Sequence, residues 1–258
     1  HLHRRGITMK SNEILELFVA HDLKPECYEL DPEQEIQGAP ITDTRMVGSG
    51  DIFVAIKGLS FDGHSFIEQA VSKKVALVVG TEEPKIKHSY IKVSDSRKAA
   101  ALLANIYYQN PSSSFRLIGV TGTNGKTSTS LVIFSALRSL GLKVGWIGTL
   151  GYKINDDHYE TKHTTPDIME LNRILASMRD EKVSYVIVEV SSHAIALDRV
   201  YGLDFDLCMF TNLSRDHLDF HGNMNEYFEV KSGWFDSVRL GQSVAIINTS
   251  DSYGAELA

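Results

Sequence analysis

Gly119-Val120-Thr121-Gly122-Thr123-Asn124-Gly125-Lys126-Thr127 is the stretch on which the reading of this chain turns. Ahead of it, Leu117-Ile118-Gly119-Val120 reads as a short buried strand. Behind it, Leu131, Val132, Ile133, Phe134, Leu137 and Leu140 predict a well-buried helix. A strand, a glycine-rich turn, Lys-Thr and a helix form the arrangement that cradles phosphates. Backbone N–H groups point at the oxygens, and the helix N-terminus adds partial positive charge. Lys126 would neutralise the β- and γ-phosphates, and the Thr127 hydroxyl would ligate Mg²⁺. The spacing is G-x-x-G-x-x-G-K-T, with Val120 where the common G-x-x-x-x-G-K-[ST] pattern has glycine. The alternative is a glycine-rich turn that binds nothing.

The 258 residues suggest one large or two ordinary domains. A hydrophobic content of 43% with 23% charged residues is that of a globular protein with a substantial core. The formal charge of -7 argues against general binding to nucleic acid or to acidic membranes. Cys27 and Cys208 stand far apart without metal-ligand spacing and read as reduced thiols of a cytosolic protein, Cys208 within a strand. No apolar run reaches the length of a membrane span. Nothing demands more than a monomer. Residues 1–8 precede Met9 and read as a tag or upstream extension.

Residues 9–110 read as a small mixed α/β domain. Asn12 is expected to cap a helix containing Ile14, Leu15, Leu17 and Phe18. Strands are expected at 52–56, 75–79 and 90–93, and a helix capped by Asp95 or Ser96 follows. Asn110-Pro111-Ser112-Ser113-Ser114 reads as the linker. In residues 111–258, strands (117–121, 144–147, 185–190, 206–211, 243–247) alternate with helices (126–140, 167–179, 225–237). That alternation predicts an incomplete doubly wound, mainly parallel sheet. Residues 151–162 are polar and read as an excursion or hairpin.

Ligands in such sheets bind beyond the carboxyl ends of the strands. Glu189 ends one strand and with Thr127 could form a Mg²⁺ pair, or it could be a solvated or salt-bridged carboxylate. His217, beside Asp216 and Asp219, could be a second ligand or a capping histidine. Thr164, Thr165, Ser191 and Ser192 could offer hydroxyls to a phosphorylated or sugar ligand, or cap helices; Thr165 before Pro166 suits a cap. Arg199 could grip a carboxylate or phosphate, or sit in a surface salt bridge. Lys231 reads as an ordinary helix lysine.

Several separated motifs together resemble the Mur ligase family. They are Thr42-Asp43-Thr44-Arg45, Gly50-Asp51-Ile52-Phe53-Val54-Ala55, Asp62-Gly63-His64, the phosphate loop, Thr164-Thr165-Pro166-Asp167, Glu189-Val190-Ser191-Ser192-His193, the run from Asn212 to Gly222, and Tyr227 through Lys231. The resemblance implies a uridine-nucleotide domain at 9–110, an ATP-binding domain at 111–258, and a C-terminal amino-acid-binding domain absent from this sequence. It implies an ATP-dependent amide ligase of peptidoglycan precursor synthesis in the cytoplasm, working through an acyl phosphate. Its substrates would be UDP-MurNAc-L-Ala-D-Glu and a diamino acid, with these residues alone inactive. Thr44, Leu59, Ser60 and Phe61 would lie at the uracil end, and His163, Thr164, Thr165, Ser191 and Arg199 would hold the muramoyl peptide. Gly122, Thr123, Asn124, Gly125, Lys126, Thr127 and Ser128 would bind ATP. Thr127, Glu189, His217 and Lys231, carboxylated on its amine, would hold Mg²⁺; Lys126, Lys231 and His217 would serve catalysis. Another ligase of the family, or a non-catalytic nucleotide-binding protein on the same fold, stands as the alternative. His163 departs from the asparagine that related enzymes can carry ahead of Thr-Thr-Pro.

Overall fold

The computed structural model describes residues 6–58, 61–239 and 243–258. Leu59 and Ser60, expected at the uracil end, lie outside the described residues, as do the first five residues of the expected extension. The chain divides into two compact units between Asn110 and Pro111.

The first unit is built on a five-stranded sheet, β2 (Glu26–Tyr28), β7 (Tyr90–Lys92), β6 (Leu77–Gly80), β5 (Ile52–Val54) and β4 (Pro40–Ile41) in spatial order. All neighbours are parallel except β2 and β7. A separate two-stranded ladder joins β1 (Met9–Lys10) to β3 (Glu35–Ile36). Ile52, Phe53 and Val54 are all buried, as expected of a strand covered on both faces. Helix α1 (Ser11–Ala20) begins one residue before Asn12. The expected Asn12 cap is corrected: Asn12 lies in the first turn, and Glu13 reaches back to accept from the Lys10 N–H at 2.9 Å. Asp62 accepts from the His64 N–H and opens a short 3-10 turn that leads into α2 (Ile67–Ser72). Asp95 caps α3 (Ser96–Tyr107) by accepting from the N–H groups of Arg97 and Lys98.

The second unit is a seven-stranded sheet in the order β11-β10-β9-β12-β8-β13-β14. The strands β8 (Arg116–Thr121), β9 (Val144–Gly148), β12 (Tyr185–Glu189), β13 (Leu207–Phe210) and β14 (Val244–Ile247) are parallel. The expected excursion is a hairpin, β10 (Gly151–Ile154) and β11 (Asp157–Tyr159), that extends the sheet antiparallel to β9. From β8 the chain moves to one side for β9 and β12 and to the other for β13 and β14. The order therefore reverses about β8, the switch point at which such sheets open a crevice.

Side-chain alternation separates two cores. On one face Leu117, Val186, Val188, Cys208 and Phe210 pack with α5 (Ile168–Asp180) and α8 (Met224–Arg239) through Leu171, Leu175, Tyr227 and Phe235. On the other, Val120, Trp146 and Ile187 pack with Phe134 of α4 (Lys126–Ser139). The expectation of a well-buried α4 is corrected, because Val132 is 68% and Leu140 74% exposed. The apolar run wraps more of the helix than the sheet can cover, and only one stripe meets the strands. Three short helices escaped the sequence pattern: α6 (Ser192–Ala196), α7 (Leu218–His221) and α9 (Ser252–Leu257). They are too short to show a helical period.

Candidate active site

The turn between β8 and α4 owes its shape to two glycines. Gly122 has φ +144° and Gly125 φ +83°, both in the region that side chains disfavour. A Cβ at Gly122 would meet the Thr211 hydroxyl, whereas one at Gly125 would meet nothing within 4 Å. The loop after β13 holds the turn from the side. Asn212 accepts from the N–H of Thr123 through its carbonyl (2.8 Å) and from that of Asn124 through Oδ1 (3.0 Å). The Thr211 hydroxyl donates to the Asn124 carbonyl at 2.7 Å, and the Ser214 N–H donates to Thr123 Oγ1 at 3.0 Å. In the sequence Asn212 and Ser214 fall within a motif and Thr211 ends a predicted strand, and none of the three is expected to hold the loop. Ser128 is exposed in the first turn of α4.

Glu189 is completely buried at the end of β12, on the α4 face of the sheet. Its Oε2 accepts from the Thr127 hydroxyl at 2.9 Å and from the Thr149 hydroxyl at 3.1 Å. Ser130 Oγ, fixed by the Trp146 indole N–H at 2.8 Å, has its one proton within reach of both the Thr127 carbonyl (3.1 Å) and Oε1 (3.4 Å). No ion pair engages this carboxylate among the described residues, so it is neither solvated nor salt-bridged. A buried carboxylate held only by neutral donors carries charge that a cation can offset. Thr127 spends its single proton on Glu189 and keeps its lone pairs free. Two oxygen donors of this kind suit Mg²⁺.

The two lysines converge from opposite sides. Lys126 Nζ donates to the carbonyls of Gly122 (3.0 Å) and Thr123 (2.9 Å). Lys231 rises from α8 on the other face, 1% exposed, and donates to Thr121 Oγ1 at 3.0 Å and to the Gly122 carbonyl at 3.2 Å. Burial lowers the pKa of Lys126, opposed by Glu189 and Asp216. Burial, then Lys126, pushes Lys231 down to about 7. A buried amine with no carboxylate in salt-bridge range among the described residues is suited to carry an added carboxyl group, which would turn a cation into an anion facing the loop.

His217 is not joined to Glu189. It stands in the left-handed region (φ +52°) at the start of α7, with Nε2 3.6 Å from Asp216 and no capping hydrogen bond from its side chain. Its ring meets His193 edge-on at 5.1 Å and Tyr227 at 6.3 Å. Tyr227 in turn reaches the loop, its hydroxyl 3.2 Å from Thr123 Oγ1 and its ring 5.2 Å from Lys231 Nζ. Burial and neighbouring cationic groups lower the pKa of His193 and of His221, which stacks on Tyr227.

Thr165, Ser191 and Arg199 form one cluster. Thr165 is not a helix cap; α5 is capped by Asp167, which accepts from the Glu170 N–H at 3.0 Å. The Thr165 hydroxyl donates to the Glu189 carbonyl at 2.8 Å and accepts from the Ser191 N–H at 3.1 Å. Ser191 caps α6 through Ala194. Arg199 Nη1 donates to the Thr165 carbonyl at 3.0 Å, and burial lowers the Arg199 pKa against the pull of Asp167. Thr164 Oγ1 lies 3.2 Å from Thr149 Oγ1. His163 is exposed and offers its carbonyl to Thr161. A cavity of about 1050 Å³ at the opposite, amino end of the strands, near Arg116 and Asp206, contains none of these residues.

In the first unit, Thr44 is buried and its carbonyl accepts from Lys73 Nζ at 2.6 Å. Thr44 lines a cavity of about 510 Å³ with Thr42, Asp43, Arg45, Phe53 and Phe61, a residue that is 76% exposed.

A glycine-rich loop at the switch point of a parallel sheet, with a lysine, a threonine and a buried carboxylate, defines a phosphate-loop nucleotide-binding domain. The chain belongs to the Mur ligase family. Residues 120–258 match the model of the Mur ligase middle domain, and residues 41–114 that of the Mur ligase family, catalytic domain. Among curated relatives, the UDP-N-acetylmuramoyl-L-alanyl-D-glutamate--2,6-diaminopimelate ligase of Clostridium botulinum is 41% identical over 83% of this chain and 45% of its own. That of Geobacillus kaustophilus is 46% identical over 73% of this chain and 39% of its own. A solved structure of a UDP-N-acetylmuramoyl-L-alanyl-D-glutamate--2,6-diaminopimelate ligase superposes with a TM-score of 0.78 at 26% identity, covering 97% of this chain and 49% of that one. A MurF structure from Acinetobacter baumannii shares the fold, with a TM-score of 0.62 at 21% identity over 98% of this chain and 51% of its own. The chain spans about half the length of the curated relatives it matches.

Proposed function

We propose that this chain carries the nucleotide-binding part of an ATP-dependent ligase that adds the third amino acid of the peptidoglycan stem to UDP-MurNAc-L-Ala-D-Glu in the cytoplasm. The observation that carries the proposal is the Thr127 hydroxyl bonded to the buried Glu189 carboxylate directly behind the phosphate loop. The first-unit cavity around Thr44 and Phe61 would take the uridine end of the sugar nucleotide. Relatives at 41–46% identity are named as diaminopimelate-adding ligases, which favours diaminopimelate over L-lysine as the incoming amino acid.

The chemistry follows from the acceptor. A carboxylate is a poor acyl donor at neutral pH, so its oxygen attacks the γ-phosphorus of ATP. The bridging P–O bond breaks, ADP departs, and an acyl phosphate remains. The amine of the incoming amino acid then attacks the acyl carbon, phosphate leaves, and the nitrogen loses a proton to solvent. Lys126 would meet the charge on the transferring phosphoryl oxygens, and the N–H groups of residues 122–127 would hold the phosphates in line. Arg199, Thr164, Thr165 and Ser191 would bring the muramoyl peptide to the loop. Thr127, Glu189 and a carboxylated Lys231 would hold Mg²⁺, which supplies charge neutralisation at the phosphate oxygens. His217, with Nε2 3.6 Å from Asp216, would serve with them.

The test is ligation by the full-length protein with ATP, UDP-MurNAc-L-Ala-D-Glu and either meso-diaminopimelate or L-lysine. A tripeptide product formed with one of them, and absent in Lys126→Ala, is expected. Product formation unchanged in Lys126→Ala contradicts the assignment of the loop.

A further inference from the structure

We infer that Thr149, in the turn after β9, is a positioning residue that seats the Glu189 carboxylate and ties it to Thr164. The inference rests on the function proposed above and deepens it, because no residue of this turn was singled out by sequence.

Thr149 touches both oxygens of the carboxylate. Its hydroxyl donates to Oε2 at 3.1 Å and its backbone N–H to Oε1 at 3.4 Å. Two donors from one residue on two oxygens restrict the carboxylate's rotation, adding to Thr127 on Oε2 and the longer Ser130 contact on Oε1. The turn lies close against its target: a Cβ on Gly148 would meet Glu189 Oε1. This approach exists because β9 is the direct neighbour of β12 in the sheet. The carboxylate sits at 0% exposure without an ion pair among the described residues, so each neutral donor matters to its charge.

Proton accounting extends the network. A threonine hydroxyl has one proton and two lone pairs. The Thr149 proton goes to Glu189, so across the 3.2 Å contact Thr149 accepts and Thr164 donates. Thr164 then faces the ligand side with lone pairs only. It suits a sugar hydroxyl or a peptide N–H and disfavours a carboxylate or phosphate. Thr149 thereby sets the chemistry of a residue that it does not adjoin in sequence, and links the metal side of the site to the muramoyl-peptide side.

The test uses the full-length protein and two readouts. The first is Mn²⁺ affinity in the presence of ADP, by electron paramagnetic resonance; the second is KM against kcat for UDP-MurNAc-L-Ala-D-Glu. Thr149→Val keeps shape and removes the hydroxyl. It is expected to weaken Mn²⁺ about tenfold, the equivalent of one hydrogen bond to a charged group, and to raise KM for the sugar peptide. Thr149→Ser is expected to restore both. Should the valine variant fail to fold, Thr149→Cys, with its weak S–H donor, gives the same comparison. Wild-type values in Thr149→Val, or equal losses in Thr149→Ser, overturn the positioning role while leaving the ligase reading intact. A wild-type protein that binds Mn²⁺ with ADP yet forms no product overturns the ligase reading, and the Mn²⁺ comparison still decides for or against Thr149. No Mn²⁺ binding by the wild type overturns both.

Discussion

The ammonium groups of Lys126 and Lys231 share one acceptor, the carbonyl oxygen of Gly122, at 3.0 and 3.2 Å. One lysine comes from the helix that follows the loop, the other from α8 beneath the opposite face of the sheet. Two like charges on one oxygen are tolerable where an anion faces them, or where one of them is neutral.

The second condition gives a stability prediction. Burial and Lys126 push the Lys231 pKa from 10.5 down to about 7. A base whose pKa is lower in the folded state destabilises the fold most where both states are protonated, below about pH 7. That cost shrinks as pH rises from about 7 towards 10.5, because there the unfolded chain binds the extra proton. Lys231→Met in bicarbonate-free buffer is therefore expected to raise the unfolding midpoint, most at mildly acidic pH and progressively less on the alkaline side. Thermal melts across that range check this; a gain that grows with pH contradicts it.

Glu189→Gln separates charge from shape. The amide keeps the volume, yet its NH₂ would face hydroxyls that now donate to the carboxylate. Removing an uncompensated buried charge is expected to leave the melting temperature unchanged or higher, while Mn²⁺ affinity in the presence of ADP falls about tenfold or more. Calorimetric titration measures the second effect, and wild-type affinity in the variant contradicts the metal assignment.

The two loop glycines are expected to behave differently. Gly122→Ala places a methyl against Thr211 Oγ1, with the Asn212 carbonyl oxygen 3.0 Å away, and disturbs the loop that anchors the turn. Gly125→Ala meets no atom within 4 Å and carries only the left-handed backbone cost of roughly 1–2 kcal/mol. Nucleotide binding measured by fluorescence is expected to be lost in the first and weakened by no more than about thirtyfold in the second, the equivalent of that cost. Equal losses contradict the contact argument.

The difference between what sequence revealed and what needed the fold follows from contact range. The phosphate loop was legible because its chemistry is local: two glycines, a lysine and a threonine within six positions. Glu189 was legible as a strand-end carboxylate, but its burial was not, because Ser130, Trp146 and Thr149 reach it only through sheet order. Thr165 read equally well as a helix cap until its hydroxyl was seen donating to the Glu189 carbonyl. Val132 and Leu140 looked like core because an apolar run does not reveal which face a sheet can cover. Asn12 looked like a cap because Glu13, reaching back to Lys10, was an equally good local solution. Lys231 had no signal of its own; its 1% exposure comes from α8 packing across β8 and β13.

The measurement that bears most directly on the account follows oxygen. UDP-MurNAc-L-Ala-D-Glu carrying heavy oxygen in the side-chain carboxylate of D-Glu is incubated with the full-length protein, ATP, Mg²⁺ and meso-diaminopimelate. Mass spectrometry then reads the released phosphate. One labelled oxygen per phosphate, formed in step with the tripeptide and absent in Lys126→Ala, is the result expected if the loop phosphorylates the acceptor carboxylate. Tripeptide formed with unlabelled phosphate, or phosphate released at the same rate without the sugar peptide, would contradict it.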